Sequence, residues 1–313
     1  MKDGIAMSRT TLYLLMAAHV LLAAGTYVFG KAAAVGFPDA GSLTLARSLG
    51  AALILLVISG WLLPKPSFSR GEWLKLVGFG ILLVPMNQYA FLQGLRHTVP
   101  SHPALFYALT PLGVLLLSSA VKLNLPSART CSGVIMALAG VLCILRPWTQ
   151  GEFVRQLRTG DLWVICAVLA WVVYTVAASR TCQNHDPRVV TSWSLIFGAL
   201  AMIPISGRTL LTMDYNSISS EAWLGLLWLV IMTSVLMMLA WNLLLRHLTP
   251  VQVAVCTNAQ PPTTVALSVF LAALGFLPGK QDLGLFFWLG MLLTLIGVFL
   301  VQASSPTVPA TPR

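Results

Sequence analysis

Charge is what this sequence has least of. Asp, Glu, Lys and Arg make up 9% of its 313 residues, while 57% are hydrophobic. A soluble globular domain runs at about 25% charged, and a chain of this length cannot cover a water-facing surface with so few charges. The scarcity excludes an ordinary soluble enzyme and a disordered chain. It also excludes a nucleic-acid binder, despite a formal net charge of +10. In a membrane protein a basic excess records topology, because cytoplasmic loops collect Lys and Arg.

Carboxylates are scarcer still. The acidic residues are Asp3, Asp39, Glu72, Glu152, Asp161, Asp186, Asp214, Glu221 and Asp282. Each falls in a tail, a loop or a span end. A carrier of organic cations, or an antiporter that moves protons on a carboxylate, normally keeps an acid at mid-membrane. The expected substrate is therefore neutral, zwitterionic or anionic. Cysteine is sparse too: five residues, no two at CxxC spacing, read as small buried side chains without metal or disulfide roles. His97 and His102 have the spacing of a di-iron box, but five histidines cannot fill the several boxes that such an enzyme needs. There is no Gly-x-Ser-x-Gly elbow and no phosphate loop. No cofactor is implied, and transport without a nucleotide site must run on a gradient of protons or another ion.

What the chain has in quantity is long apolar runs. Ten can be read, at about 11–33, 43–63, 73–95, 101–121, 130–146, 161–180, 189–206, 222–245, 250–276 and 284–302. A span needs roughly 20 apolar residues, and an exposed backbone in a bilayer must bond within itself, so these read as helices. With the N-terminus cytoplasmic, eleven of the nineteen Lys and Arg lie on that side and six on the other, Lys31 and Arg47 being inside spans. The bias puts both termini in the cytoplasm. Residues 304–313 are rich in Pro, Ser and Thr and read as a disordered tail.

The chain also repeats itself. Leu95-Arg96-His97-Thr98-Val99-Pro100 recurs as Leu245-Arg246-His247-Leu248-Thr249-Pro250, 150 residues on, and Pro111 falls on Pro261. Gly133 and Gly140 match Gly290 and Gly297 at an offset of 157. Five spans per half would turn the second copy upside down, the plan of many secondary transporters, with substrate bound between the repeats. The halves are expected at 9–148 and 160–303. Pro111 and Pro261 interrupt helices at depth; the freed carbonyls either serve a substrate or only let a helix bend.

These residues resemble the drug/metabolite transporter superfamily, EamA type, over about 10–303. Gly25-Thr26-Tyr27-Val28-Phe29-Gly30-Lys31 resembles the family's first-helix pattern, with Ala24 where Trp is usual. Arg47 is similar to its span-two arginine. Ala90-Phe91-Leu92-Gln93-Gly94-Leu95 with Pro111, and Trp241-Asn242-Leu243-Leu244-Leu245-Arg246 with Pro261, resemble its helix 3–4 signature and the second copy. Gly160-Asp161-Leu162 followed by Trp171 and Tyr174 is similar to the opening of the second half. The family's Glu, nine residues before the Gly that opens helix 5 (here Gly133) and again before that of helix 10 (here Gly290), is replaced by Asn124 and Gln281. The resemblance implies an all-α integral membrane protein of ten transmembrane helices in two inverted five-helix repeats. It also implies alternating access, with export or exchange of small metabolites.

The candidate substrate-binding residues are polar or aromatic side chains at depth: His19, Tyr27, Asn87, Gln88, Tyr107, Trp171, Tyr174, Trp241, Asn242, Asn258 and Gln260. His19 with Thr26 and Gly30 forms one stripe, and is read either as a proton relay or as a neutral histidine bonded to a neighbouring helix. Lys31 and Arg47 either attract a carboxylate or phosphate, or snorkel or pair with Asp39. The other polar groups either line a cavity or make interhelical hydrogen bonds. The expected protein is a gradient-driven carrier in a bacterial inner membrane that exports or exchanges a small neutral, zwitterionic or anionic metabolite, amino-acid-like as a first guess. Its expected partners are that substrate and the lipid bilayer, with no nucleic acid. A sugar-phosphate or nucleotide-sugar antiporter, and a membrane enzyme or scaffold that transports nothing, are the alternatives.

Overall fold

The computed structural model describes residues 7–62, 67–97, 101–121, 123, 126–149, 159–274 and 284–304. Of the expected tail at 304–313, Ser304 instead closes the last helix; residues 305–313, and Asn124 and Gln281, lie outside the described residues. Among the described residues there are helices and no strands. The helices are α1 (Arg9–Gly36), α2 (Ala40–Leu62), α3 (Arg70–Arg96), α4 (Ser101–Ala108 continued by Thr110–Ala120), α5 (Ala128–Leu145), α6 (Thr159–Asn184), α7 (Pro187–Thr212), α8 (Ser220–His247), α9 (Pro250–Val255, Cys256–Ala259, Gln260–Ala273) and α10 (Leu285–Ser304).

Nine of these are long and apolar enough to cross a membrane. The stretch expected as one span at 250–276 is helical in pieces: a 3-10 turn at Cys256–Ala259 divides it, directly before Pro261 and Pro262. Large apolar side chains also face outward. Leu53, Leu116, Leu162 and Phe299 are each at least 62% exposed, which suits a bilayer as solvent and would be costly in water.

Helix starts follow the local sequence. Ser69 and Glu72 form a capping box at the start of α3, and Thr249 and Gln252 form one at the start of α9. Both satisfy backbone N–H groups that a helix start leaves without partners. Gln252 is thereby tied to the start of its helix.

Four interruptions stand out. In α3 the segment Leu82–Tyr89 is π-helical around Pro85, whose ring cannot donate and crowds the preceding turn. In α8 the segment Leu229–Met237 is also π-helical, without a proline. Helix α4 breaks at Leu109, just before Pro111, and α9 breaks at Cys256–Ala259 before Pro261. In a regular helix the N–H of residue 111 would bond the carbonyl of Tyr107, and that of 261 the carbonyl of Thr257. Proline supplies neither.

Helix pairing crosses between the halves: α1 with α8, α2 with α7, α3 with α6, α4 with α9 and α5 with α10. Mapping α1–α5 onto α6–α10 leaves this set of pairs unchanged. The most extensive contact, α5 against α10, uses the repeated glycines: Gly133 lies against Gly297 and Gly140 against Gly290. Small residues let membrane helices approach backbone to backbone. Arg146, past the end of α5 in a left-handed conformation (φ 48°), lays its guanidinium over Phe286 of α10 at 4.4 Å.

The scaffold can be tested at two glycines. A Cβ at Gly140 would meet the backbone N of Thr294 at 2.5 Å and O of Gly290 at 2.6 Å, whereas one at Gly78 meets nothing within 4 Å. Gly140→Leu should lower stability by about 1–3 kcal/mol or more. Gly78→Ala should be neutral or raise it by up to about 1 kcal/mol. Thermal unfolding in detergent reads both; equal effects at the two sites would refute the packing.

Candidate functional site

The four interruptions border one cavity of about 600 Å³, well within the range that holds a small metabolite. Helices α1, α2, α3, α4, α6, α8 and α9 all contribute to its wall. On α1 the lining residues are His19, Ala23, Thr26, Gly30, Lys31, Ala34 and Val35. They recur at helical spacing and form one stripe, about 24 Å long at 1.5 Å per residue.

His19 is buried, and its Nδ1 lies 3.3 Å from the Met237 carbonyl of α8. A carbonyl only accepts, so this bond fixes the ring proton on Nδ1. The ring also sits 5.0 Å, centre to centre, from Trp241. Trp241 in turn lies 4.8 Å from Trp171, which lines the cavity. On α3, Asn87 donates from Nδ2 to the Tyr107 hydroxyl at 2.8 Å and to the Ala167 carbonyl at 2.9 Å. It joins α3, α4 and α6 at the wall. Next to it the Gln88 carbonyl oxygen is buried with no hydrogen-bond partner among the described residues.

The π-helix of α8 presents two successive hydroxyls to the first half. Thr233 bonds Thr26 of α1 at 2.6 Å. Ser234 accepts from Nε of Arg47 at 2.6 Å. Arg47 is only 6% exposed, and among the described residues no carboxylate pairs with it. Asp39, the expected alternative partner, uses its Oδ1 to cap α2 through the Ser42 N–H at 2.8 Å. Lys31 is exposed at the wall. Arg96 holds the α1–α2 connection through the carbonyls of Phe37 and Pro38, at 3.2 and 2.9 Å, and also lines the cavity.

Of the residues singled out in the sequence, His19, Asn87, Gln88, Tyr107, Trp171, Gln260, Lys31 and Arg47 are brought to this one wall. Tyr174, Trp241, Asn242 and Asn258 are buried outside the lining. Tyr174 and Asn242 bond each other, hydroxyl to Oδ1 at 2.9 Å and Nδ2 to hydroxyl at 2.7 Å, and Asn242 also donates to Thr191 at 2.7 Å. They tie α6, α7 and α8 together. The side chain of Tyr27 lies outside the described residues. Pro111 and Pro261 stand at the two breaks; Pro261 borders a smaller apolar pocket of about 180 Å³ that shares Tyr107, Thr257 and Gln260 with the cavity. Sequence reading missed Arg96, Thr233 and Ser234. The signal for Arg96 was its place in the Leu-Arg-His repeat. For the two hydroxyls of α8 there was none.

Comparison with known proteins covers nearly the whole chain. A family model described as the EamA-like transporter family matches residues 10–146 and again 158–303. An uncharacterized transporter of Archaeoglobus fulgidus is 28% identical over 93% of this chain and 97% of its own. The uncharacterized transporter YyaM of Bacillus subtilis is 24% identical over 84% and 86%. The uncharacterized inner membrane transporter YicL of Salmonella typhimurium is 23% identical over 84% and 85%. A solved crystal structure superposes with a TM-score of 0.68 over 95% of this chain and 98% of that one, at 18% identity. That likeness speaks for the fold alone.

Tyr174→Phe separates the tie from the cavity. It should cost about 1 kcal/mol of stability, as expected for one buried hydrogen-bonding group, and leave ligand affinity unchanged. Paired melting and binding curves would show it. A variant of full stability with weakened binding would place Tyr174 in the site instead.

Proposed function

The chain belongs to the EamA-like transporter family and is an integral membrane protein, and from that premise we propose that it is a gradient-driven secondary carrier of a small metabolite. It acts by alternating access and has no catalytic role. The observation that carries this reading is the cavity of about 600 Å³, walled by both halves and bordered by the interrupted stretches of α3, α4, α8 and α9. Irregular backbone at membrane depth is tolerated where it is buried in protein or lines a water-filled space, and transporter binding sites are typically built at such breaks. The polar residues at the wall come from helices of both halves: Asn87, Gln88 and Tyr107 from the first, Thr233, Thr257 and Gln260 from the second. Rocking of one half against the other would open this volume first to one side and then to the other.

The proposed units are the halves at 9–148 and 160–303. The proposed setting is a bacterial inner membrane with both termini in the cytoplasm. The name of the Salmonella relative supports the membrane, and the distribution of Lys and Arg supports the orientation. The substrate is proposed to be neutral, zwitterionic or anionic, exported or exchanged. His19 is the residue in the wall best suited to carry a coupled proton.

Purified protein in liposomes should take up labelled metabolites from a panel spanning these three charge types, with flux that saturates. Trp171→Ala, which strips the largest ring from the wall, should raise KM about tenfold. Flux that stays linear in concentration and does not respond to Trp171→Ala or Tyr107→Phe would remove the carrier reading.

A further inference from the structure

The charges on the cavity wall are all of one sign. Arg96 stands near the α1–α2 connection. Lys31 follows on α1, and Arg47 lies deeper, at the level of Thr26, because Thr233 and Ser234 are neighbours on α8 and bond Thr26 and Arg47 respectively. From Lys31 to Thr26 is five residues of helix, about 7 Å. Among the described residues no Asp or Glu lines the cavity.

Arg47 is the informative one. A guanidinium carries five N–H donors in a planar fork. One of them, on Nε, is used by Ser234, and the side chain is more than nine-tenths buried. Its two Nη groups have no acceptor among the described residues, and Arg47 lines the cavity. Ser234 fixes the plane of the fork and leaves the pair of Nη donors, which suits a carboxylate or phosphate bound through two oxygens. The Thr26–Thr233 pair stands at its level, and elsewhere the lining includes apolar side chains, Ala34, Leu92, Phe91 and Leu229 among them.

Resting on the carrier reading above, we infer that the substrate is an organic anion with an apolar body and no fixed positive charge, its acidic group held by the Arg47 fork. A free amino acid fits this wall poorly, because its ammonium group would enter a space that holds three cations and no carboxylate. Lys31 and Arg96 serve a different purpose from Arg47. A cleft lined by one sign of charge concentrates the opposite ion at its mouth, so they raise the rate of entry and lend it a salt dependence.

One carbon skeleton in several charge states tests this. The probes are 3-phenylpropionate, 3-phenylpropionamide, 3-phenylpropylamine, phenylalanine and 2-phenylethyl phosphate, with affinity read from melting-temperature titrations of the full chain in detergent. The two anions should bind at least tenfold more tightly than the amide, the amine and phenylalanine. The better of the two anions tells carboxylate from phosphate. Arg47→Gln should abolish that preference, and Arg47→Lys should restore part of it. If neither variant folds, Lys31→Gln, at an exposed side chain, should slow anion entry about threefold and flatten its salt dependence. Amide, amine or phenylalanine binding as tightly as the acids, or an anion preference untouched by Arg47→Gln, overturns the inference and leaves the carrier reading in place. Tight anion binding with no saturable flux in liposomes does the reverse.

Discussion

The structure depends on one constraint: inside a bilayer, every backbone N–H and C=O must find a partner within the protein or in enclosed water. Most of this chain meets it with uninterrupted helix. Among the described residues four stretches do not, and they border the cavity. Pro85 is met by a π-helical stretch in α3. Pro111 and Pro261 withhold the N–H groups that would have bonded Tyr107 and Thr257, and both of those residues line the wall. The interruptions are thus located where water or a substrate can compensate them. In α8 the π-helical stretch itself carries Thr233 and Ser234, which bond α1 and α2.

The surrounding scaffold answers the opposite demand. With lipid outside, no hydrophobic force drives helices together, and contact rests on close approach of small residues and on interhelical hydrogen bonds. Hence the paired glycines of α5 and α10, and the Tyr174–Asn242–Thr191 tie among α6, α7 and α8. Polar side chains at similar depth therefore serve two ends. Asn87 does both, joining three helices while its side chain borders the cavity.

This division explains what could be read from the sequence. The membrane helices were legible because apolar length and bounding charge are local properties. The breaks in α4 and α9 were legible because proline acts on its own helix. The stripe of His19, Thr26 and Gly30 followed from helical spacing alone. Tyr174 and Asn242 looked like cavity residues because depth and polarity do not reveal a partner; only the arrival of Thr191 from α7 distinguishes a tie from a wall. Arg96 sits at a helix end, where a basic residue reads as a loop charge recording topology, and its reach back to the α1–α2 connection is a tertiary fact. The π-helix of α8 has no proline to announce it.

The same constraint bears on how a carrier of this design would cycle. Arg47 is held in the membrane interior by one neutral hydroxyl and by whatever fills the cavity. Burying an uncompensated charge is expensive. Closing the empty cavity would strip water from the free Nη donors and supply nothing in exchange. Closing it over an anion replaces that water with two charge-assisted hydrogen bonds. On the anion reading, then, the loaded carrier changes state more readily than the empty one. A scarcity of carboxylates, first seen as a composition, becomes a kinetic property. Among the described residues no carboxylate neutralises the arginine, so on the anion reading the substrate would do so, and exchange of one anion for another would be favoured over uncompensated return.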